Sequence, residues 1–393
     1  MDITAARSNY IHVSPIVQLH VLSFEPRANS DASSTGTVVL VHGWPDFSYG
    51  WRHQIPALTL HHRVLAVDLP GFGLSSCPPE AHHYTYKNLV AYLCTMLDFF
   101  NVPRAAFVGH DWGGLVVWHM AFQRPDRCIA VASLCSQFRP PTKRYTSHEE
   151  IAAKLPYFQY QVYFGTAAAV AEFDRDPGRS IMLMLHPPSA RDGIGRKVGD
   201  QLKLAGKPKS STGATGTGNS AGSAVHGVFD QIPASVTATD LGGRQYDDAD
   251  RAAYTAAFTR TGFGPGFNMY RTARLNWEDT TALVAARGGE FRVHTPALLI
   301  SAGRDVILDK RLSEGMEAWV PRLERGEVAQ AGHFLQFEYP AETNALLVPW
   351  IDCVLAAERA ERAIRPPGID QIASTSADSS GVSSRRVTQM AKL

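Results

Sequence analysis

The amino-acid sequence predicts an α/β fold in which a mostly parallel sheet is flanked by helices and carries an inserted helical lid. In the first half of the chain, short β-branched and apolar runs alternate with stretches of helical spacing, whereas the middle has few strand candidates. Strands that are apolar along their whole length are typical of a parallel sheet covered on both faces. A helical middle is then best explained as an insertion into that core.

The predicted elements follow this alternation along the chain. Helical spacing of apolar residues predicts three helices, and apolar β-branched runs predict five strands. The predicted helices cover residues 86–100, 115–122 and 346–360. The predicted strands cover residues 37–41, 63–67, 104–108, 129–134 and 297–301.

Domain organisation follows from the same pattern. We expect a core built from residues 1–136 and 279–360, with residues 137–278 forming a helical cap. Residues 203–227 consist mostly of Gly, Ser, Thr, Ala and Lys, so we expect a flexible insertion within the cap. The Ser-rich tail at 365–393 is expected to be disordered, because such segments bury too little apolar surface to offset their ordering entropy.

Composition excludes several classes of protein. The 393 residues are 45% hydrophobic and 19% charged, as in globular proteins, and 38 Lys and Arg nearly balance 37 Asp and Glu. A nucleic-acid partner is therefore not expected. No apolar run approaches the roughly 18–20 residues of a transmembrane helix, and no secretory signal is evident. The five cysteines lack CxxC spacing, which favours reduced thiols over a zinc cluster.

The strongest local signal is GHDWGG at residues 109–114, between a predicted strand and a predicted helix. Flanking glycines are typical of a nucleophile elbow, a sharp turn that lifts one side chain clear of the backbone. The central residue is usually serine, but here it is Asp111. A carboxylate with an ordinary pKa of about 4 is anionic near neutrality and can attack an sp³ carbon to form an alkyl ester. An Asp that merely caps the following helix is the alternative.

A second signal, HGWP at residues 42–45, follows the first predicted strand. This loop can direct the backbone N–H of Trp44 toward the elbow, where the N–H of Trp112 would complete an oxyanion hole. His42 is expected to shape the loop by hydrogen bonding, and Trp44–Pro45 is a candidate cis peptide. A simple turn before a helix is the alternative.

A third signal is an acid and a histidine late in the chain. Asp305 follows the strand candidate in ALLISAGRD, and His333 lies in QAGHF. With Asp111 they follow the chain order nucleophile, acid, histidine that is typical of elbow hydrolases. The acid would fix the imidazole tautomer and the histidine would deprotonate water. Asp309 is the competing candidate for the acid.

Several motifs together resemble those of the epoxide hydrolases of the α/β-hydrolase fold, the soluble epoxide hydrolase type, over about residues 25–360. In chain order these motifs are VHGWPDFSYGWRHQIPAL, VLAVDLPGFGLSS, FVGHDWGGLVVW, LLISAGRD and AGHFLQFEYP. The resemblance implies two lid tyrosines that bind and protonate the epoxide oxygen. PYFQYQVYF (156–164) places the first at Tyr160, with Tyr157 and Tyr163 as alternatives one turn away, and FNMYR places the second at Tyr270. The lid is longer than usual for this resemblance around residues 186–250.

The implied reaction is addition of water to a small apolar epoxide, giving a vicinal diol through an ester on Asp111. It requires no metal and no organic cofactor. A dehalogenase with the same Asp nucleophile is the main alternative, followed by another α/β-hydrolase of secondary metabolism. A serine esterase is disfavoured because the elbow lacks Ser, and a non-catalytic protein that binds small ligands remains a further alternative.

The chain ends in Ala391, Lys392 and Leu393, which resembles the peroxisomal address ending in S-K-L. This ending predicts an import receptor as partner and a peroxisomal location, with a cytoplasmic location as the alternative. The identity of the epoxide, the stereochemistry and the oligomeric state are not indicated by the sequence.

Overall fold

A computed structural model of the chain describes residues 6–27, 36–185, 194–209, 225–236 and 246–364. At its centre lies an eight-stranded sheet in the order β1-β2-β4-β3-β5-β6-β7-β8. β1 and β2 pair antiparallel and β2 joins β4 antiparallel, whereas the pairings from β4 through β8 are parallel. The strands are β1 (Arg7–His12), β2 (Gln18–Phe24), β3 (Thr37–Val41), β4 (Arg63–Asp68), β5 (Ala105–His110), β6 (Cys128–Leu134), β7 (Ala297–Ala302) and β8 (Leu323–Val328).

The five strand candidates of the sequence correspond to β3, β4, β5, β6 and β7, and the mostly parallel α/β fold is confirmed. Three strands were missed. β1 (RSNYIH) and β8 (LERGEV) are the edge strands of the sheet and carry exposed polar residues, so neither shows an apolar run. β2 (QLHVLSF) is mostly buried, but its apolar run is interrupted by two buried polar residues: His20 bonds to Asp68 and Ser23 bonds to Asn9.

Helices flank the sheet on both faces. Side chains of β3 alternate between two apolar clusters, with Val39 and Val41 on one face and Val38 and Leu40 on the other. This alternation is the two-residue period of a strand buried on both sides. The helices packed against the sheet are α1 (Ile55–Leu58), α2 (Tyr86–Phe99) and α3 (Trp112–Gln123), and near the end of the described chain α12 (Leu335–Glu338) and α13 (Pro340–Ile364).

Residues 135–296, between β6 and β7, form the segment that we call the insertion. Its described part is helical. The β-structure there is limited to one isolated antiparallel bridge between Pro208 and Val225. The helices are α4 (His148–Lys154), α5 (Gln159–Phe164), α6 (Ala167–Phe173), α7 (Pro177–Leu185), α8 (Ile194–Leu202), α9 (Asp248–Thr261), α10 (Asn268–Arg271) and α11 (Ala273–Ala286).

Part of the sequence-based expectations falls outside the described residues. Of the stretch 203–227, the two ends meet at the bridge between Pro208 and Val225, and residues 210–224 lie outside. The tail at 365–393, with its last three residues, also lies outside. Among the described helices, none is long and apolar enough to span a membrane.

The parallel strands determine where a site can form. Their carboxyl ends lie at one edge of the sheet, and the loops after β3, β5, β7 and β8 carry Trp44, Asp111, Asp305 and His333 respectively. Ligand sites of open α/β sheets are found at this edge. The fold therefore collects four candidate residues that are up to 289 positions apart in the chain.

Candidate active site

Asp111 occupies a sharp turn between β5 and α3. Its backbone has φ 52° and ψ −121°, which is an unusual conformation for a residue with a side chain. The flanking glycines are required by close approach, since a Cβ at Gly109 would collide with the backbone of Gly113, and a Cβ at Gly113 with the carbonyl of Val41. The turn therefore has the strained geometry of an elbow, which a helix cap alone does not require.

The loop after β3 closes on the Asp111 side chain. The backbone N–H of Trp44 donates to Asp111 Oδ1 at 2.9 Å, and the Trp44–Pro45 bond is cis. Gly43 permits this approach, because a Cβ there would lie 2.5 Å from the Cβ of Asp111. His42 bonds to the backbone on both sides, with Nδ1 2.8 Å from the Gly43 carbonyl and Nε2 accepting from the Leu69 N–H at 3.0 Å. His42 thus shapes the loop, as expected.

Asp305 and His333 meet beside Asp111. His333 Nδ1 lies 2.7 Å from Asp305 Oδ2, and His333 Nε2 lies 3.5 Å from Asp111 Oδ2. Asp305 Oδ1 accepts the N–H groups of Ile307 and Leu308 at 2.8 and 2.9 Å. The imidazole is therefore oriented by a fixed carboxylate and faces the elbow. The competing acid, Asp309, instead bonds to the exposed guanidinium of Arg311.

Charge within this group shifts the pKa of Asp305 and the pKa of His333 in opposite directions. Burial alone would raise the pKa of Asp305, but His333 and the two backbone donors outweigh it, so the pKa is lowered. Burial would likewise lower the pKa of His333, yet the carboxylates of Asp305 and Asp111 raise it well above its ordinary value. While the Asp111 carboxylate is not esterified, His333 is therefore an imidazolium held between the carboxylates of Asp305 and Asp111.

Two tyrosines of the insertion face the elbow. Tyr160 on α5 and Tyr270 on α10 are both buried, and their rings meet edge to face with centroids 6.0 Å apart. Burial, with a further contribution from the Asp111 charge, raises the pKa of both phenols well above the ordinary value, so both retain their protons. Of the alternatives to Tyr160, the Tyr163 hydroxyl donates to Glu172 at 3.1 Å, and Tyr157 lies outside the cavity lining.

The cavity between the sheet edge and the insertion comprises about 690 Å³ of space not occupied by atoms, part of which is open to solvent. Its polar groups come from Asp111, His333, Tyr160, Tyr270 and Glu338. The rest of the lining is mainly apolar and comes from both the sheet side and the insertion. These residues are Trp44, Pro45, Met184, Val198, Gly199, Leu202, Val306, Ile307 and Phe334. A mostly apolar cavity with a few convergent polar groups is typical of a small-molecule site.

Trp112, the other predicted oxyanion donor, is the first residue of α3. Its N–H is one of the first four of the helix, which have no acceptor within the helix. Its indole packs edge-on against Tyr270, with ring centroids 5.1 Å apart. The residue therefore contacts the site through its side chain, and its N–H lies at the helix start directly after Asp111.

Comparison with known proteins agrees with this geometry. A family model described as the alpha/beta hydrolase fold matches residues 36–340. The chain belongs to this family. Epoxide hydrolase A of Mycobacterium tuberculosis is 33% identical over 325 residues, which cover 80% of this chain and 89% of that protein. This relative places the chain among the epoxide hydrolases of the family, and the resemblance noted in the sequence is confirmed.

Two further comparisons cover most of the chain. Bifunctional epoxide hydrolase 2 of Mus musculus is 31% identical over 344 residues, which cover 87% of this chain and 55% of the mouse protein. The chain thus spans about half the length of this relative. The crystal structure of Epoxide Hydrolase A from Mycobacterium thermoresistibile superposes with a TM-score of 0.67 at 28% identity, covering 88% of this chain and 98% of that one.

Sequence reasoning missed a carboxylate that holds the His333 loop of this α/β hydrolase. Glu338 Oε2 accepts the N–H of Gly332 at 2.7 Å, and Oε1 accepts that of Phe334 at 3.0 Å. The two residues that flank His333 are thus held by one side chain. Burial raises the pKa of Glu338 despite these two donors. The only available signal was a lone acid in the mainly apolar segment FLQFEYP.

Two more residues hold the His333 backbone. His110 Nε2 lies 2.8 Å from the His333 carbonyl oxygen, and Cys135 Sγ lies 3.4 Å from the same oxygen. Within the described chain, these two side chains and His333 also form one group of potential metal ligands, with ligand atoms within 4.8 Å of one another. Because the two atoms already face the same carbonyl, we interpret the group as support for the loop.

Proposed function

We propose that the chain is an epoxide hydrolase that adds water to an apolar epoxide and releases a vicinal diol through an ester on Asp111. One observation carries the proposal: an anionic side chain at a strained turn faces two protonated phenols across an apolar cavity, with an imidazole 3.5 Å behind it. The names of the relatives support the same activity.

In the first step, a carboxylate oxygen of Asp111 attacks one epoxide carbon and the carbon–oxygen bond of the ring breaks. Tyr160 and Tyr270 donate hydrogen bonds to the epoxide oxygen, and one phenol transfers its proton to the alkoxide. The raised phenol pKa values support this role, because both groups hold their protons until the alkoxide forms. The product is a hydroxyalkyl ester of Asp111 and a tyrosinate.

Before the second step, the His333 imidazolium returns its proton to the tyrosinate and becomes neutral. His333 then takes a proton from water, and the hydroxide attacks the ester carbonyl carbon. Esterification makes this possible, since it removes the Asp111 charge that helps to raise the pKa of His333 and so favours the neutral imidazole. The N–H groups of Trp44 and Trp112 stabilise the tetrahedral oxyanion. The leaving alkoxide takes the proton of the newly formed Asp111 carboxylic acid, so the diol leaves, Asp111 regains its carboxylate and His333 keeps its proton as the imidazolium of the resting site.

We propose that residues 137–278 act as a cap over a core of residues 1–136 and 279–360. Both phenols and three apolar lining residues, Met184, Val198 and Leu202, come from this part of the chain. A closed cap excludes bulk water, which strengthens the electrostatic interactions at the reacting atoms.

A dehalogenase is the second candidate, because it would use the same carboxylate nucleophile. In that reaction N–H donors hold a departing halide, whereas the insertion places two phenols, those of Tyr160 and Tyr270, in the cavity with Asp111, and phenols suit an oxygen leaving group. Parallel assays of epoxide turnover and of chloride or fluoride release separate the two. Ligand binding without turnover of any epoxide would favour the non-catalytic alternative.

The proposed mechanism is tested by His333→Ala. We expect this variant to be alkylated by epoxide but not hydrolysed, so that mass spectrometry finds one added substrate mass on the peptide that contains Asp111. His294→Ala, at an exposed histidine outside the cavity lining, is the matched control and should leave no adduct. Normal turnover by His333→Ala would contradict the mechanism.

We further propose a peroxisomal location through Ala391, Lys392 and Leu393, which would bind an import receptor as partner. The proposal rests on the resemblance of these residues to a known C-terminal address. A fluorescent protein fused ahead of the intact C-terminus should co-localise with a peroxisomal marker, and deletion of the last three residues should disperse it. If both fusions were equally dispersed, the result would contradict the peroxisomal location and favour the cytoplasmic alternative.

A further inference from the structure

The peptide unit between Asp111 and Trp112 joins the nucleophile to one of the two proposed oxyanion donors. This peptide bond is trans and planar, so the Asp111 carbonyl and the Trp112 N–H point in opposite directions. A group that holds the carbonyl therefore also determines the direction of the N–H. Since a donor stabilises an oxyanion only if it points at that oxygen, the groups bonded to the Asp111 carbonyl bear on ester hydrolysis.

Two donors hold the Asp111 carbonyl oxygen. The N–H of Leu115 donates to it at 3.2 Å, as a helical hydrogen bond at the start of α3. The hydroxyl of Ser136, in the loop after β6, donates to it at 2.6 Å. The hydroxyl is the closer donor and comes from outside the helix, so it fixes the carbonyl relative to the sheet and not to α3 alone.

Ser136 is itself held through its backbone carbonyl. That oxygen accepts from the indole N–H of Trp118 at 2.8 Å and from the hydroxyl of Ser133 at 2.7 Å. Ser136 is 2% exposed, and Gly114 permits the start of α3 to approach it, because a Cβ at Gly114 would lie 2.8 Å from the Cβ of Ser136. The serine that contacts the elbow is therefore positioned by three hydrogen bonds.

Strained backbone lies on both sides of this contact. Asp111 has φ 52°, and Cys135, directly before Ser136, has φ 69°. Conformations of this kind in residues other than glycine persist where surrounding contacts hold them. The hydrogen bond from the Ser136 hydroxyl joins the two strained loops, so each loop supports the other.

We propose that Ser136 is a positioning residue for the oxyanion hole: by holding the Asp111 carbonyl, it directs the Trp112 N–H toward the ester oxygen that becomes negative during hydrolysis. The hydroxyl also polarises the peptide unit, because a hydrogen bond accepted by the carbonyl makes the N–H of the same unit a stronger donor. Alkylation develops no new charge on that oxygen, so it should depend on Ser136 much less. The catalytic part of this inference rests on the proposed function.

The first test is rapid-quench measurement of alkylation and ester hydrolysis in wild type, Ser136→Ala and Ser180→Ala. Ser180 is the matched control, since it is also 2% exposed and its hydroxyl also donates to a backbone carbonyl, that of Phe173, at 2.9 Å. Ester hydrolysis by Ser136→Ala should be about tenfold slower, because a misdirected donor keeps part of its effect, and alkylation should stay within about twofold. Ser180→Ala should match wild type. Normal hydrolysis by Ser136→Ala, or equal slowing of both steps, would overturn the proposal.

The state of the Trp112 N–H can be measured without turnover. With ¹⁵N-labelled tryptophan, the amide signal of Trp112 should move upfield in Ser136→Ala, because the carbonyl of its peptide unit loses a hydrogen bond, and should stay in place in Ser180→Ala. Trp112→Phe identifies this signal among those of the seven tryptophans. An unchanged Trp112 signal in Ser136→Ala would overturn the positioning role whatever the activity. If the signal moves as expected but His333→Ala traps no ester, the proposed function fails separately.

Discussion

The two halves of the candidate site are held by different forces. On the sheet side, Asp111, Asp305 and His333 are fixed by a strained turn and by hydrogen bonds to backbone groups. On the insertion side, Tyr160 and Tyr270 are held mainly by aromatic packing, including the contact of both rings with Phe164. Directional bonds define atomic positions closely, whereas packing tolerates repacking. The sheet side is therefore suited to fix the chemistry and the insertion side to fit the substrate.

The largest effect should come from the nucleophile itself. Asp111→Ala removes the atom that attacks the epoxide, so turnover should fall by about 10⁴ or more, with no adduct at any time. Asp309→Ala, at the exposed acid that pairs with Arg311, is the matched control and should turn over normally. Residual turnover of Asp111→Ala at a tenth of the wild-type rate or above would mean that another group attacks.

A somewhat smaller effect is expected at the acid on the sheet side. Asp305→Asn keeps the size of the side chain but loses the charge that stabilises the imidazolium, so hydrolysis should slow by about 10³–10⁴. Alkylation should keep its rate, because it does not use His333. Rapid-quench measurement of the rates of alkylation and of ester hydrolysis checks this. Equal slowing of the two steps would contradict the assignment of Asp305 and His333 to ester hydrolysis alone.

On the insertion side, the effects should appear in the opposite step. Tyr160→Phe and Tyr270→Phe each remove one donor to the epoxide oxygen, so each should slow alkylation by about 10–100-fold. Hydrolysis of the preformed ester should be affected much less. Tyr163→Phe loses only its bond to Glu172 and serves as the control. If single phenol variants slow ester hydrolysis alone, the phenols have another role.

The smallest effect should come from the apolar lining of the insertion. Leu202→Val removes one methylene from the cavity wall, worth about 0.8 kcal/mol or about a fourfold change in KM for a substrate that contacts it. The rate of ester hydrolysis should stay unchanged, because packing against the substrate does not alter the sheet-side bonds. A change in hydrolysis rate without a change in KM would show that the two halves are coupled.

Features that leave a local pattern in the sequence could be predicted, whereas features that depend on partners elsewhere in the chain could not. Five strands were recognisable because their apolar runs record burial on both faces, while β1, β2 and β8 carry polar residues whose partners lie elsewhere in the chain. Asp111 and His333 stood out because turn chemistry leaves a local pattern. Tyr157, Tyr160 and Tyr163 share a spacing of three residues, so sequence could not decide which one faces the cavity.

Long-range polar contacts were beyond sequence reasoning for a physical reason. His110 and Gln336 are 226 positions apart, and nothing in the sequence near either residue indicates the 3.2 Å contact between their side chains. Glu338 similarly gains its importance from two backbone groups that only the folded loop presents. Such groups become recognisable once donors and acceptors are matched in three dimensions.

The central claim, a covalent ester on Asp111, is tested most directly by a single turnover in ¹⁸O-labelled water with enzyme in excess. The account predicts that the diol carries unlabelled oxygen from the Asp111 carboxylate, and that the label appears in the peptide containing Asp111. A diol labelled in the first turnover, with an unlabelled peptide, would show that water attacks the epoxide directly and would contradict the account.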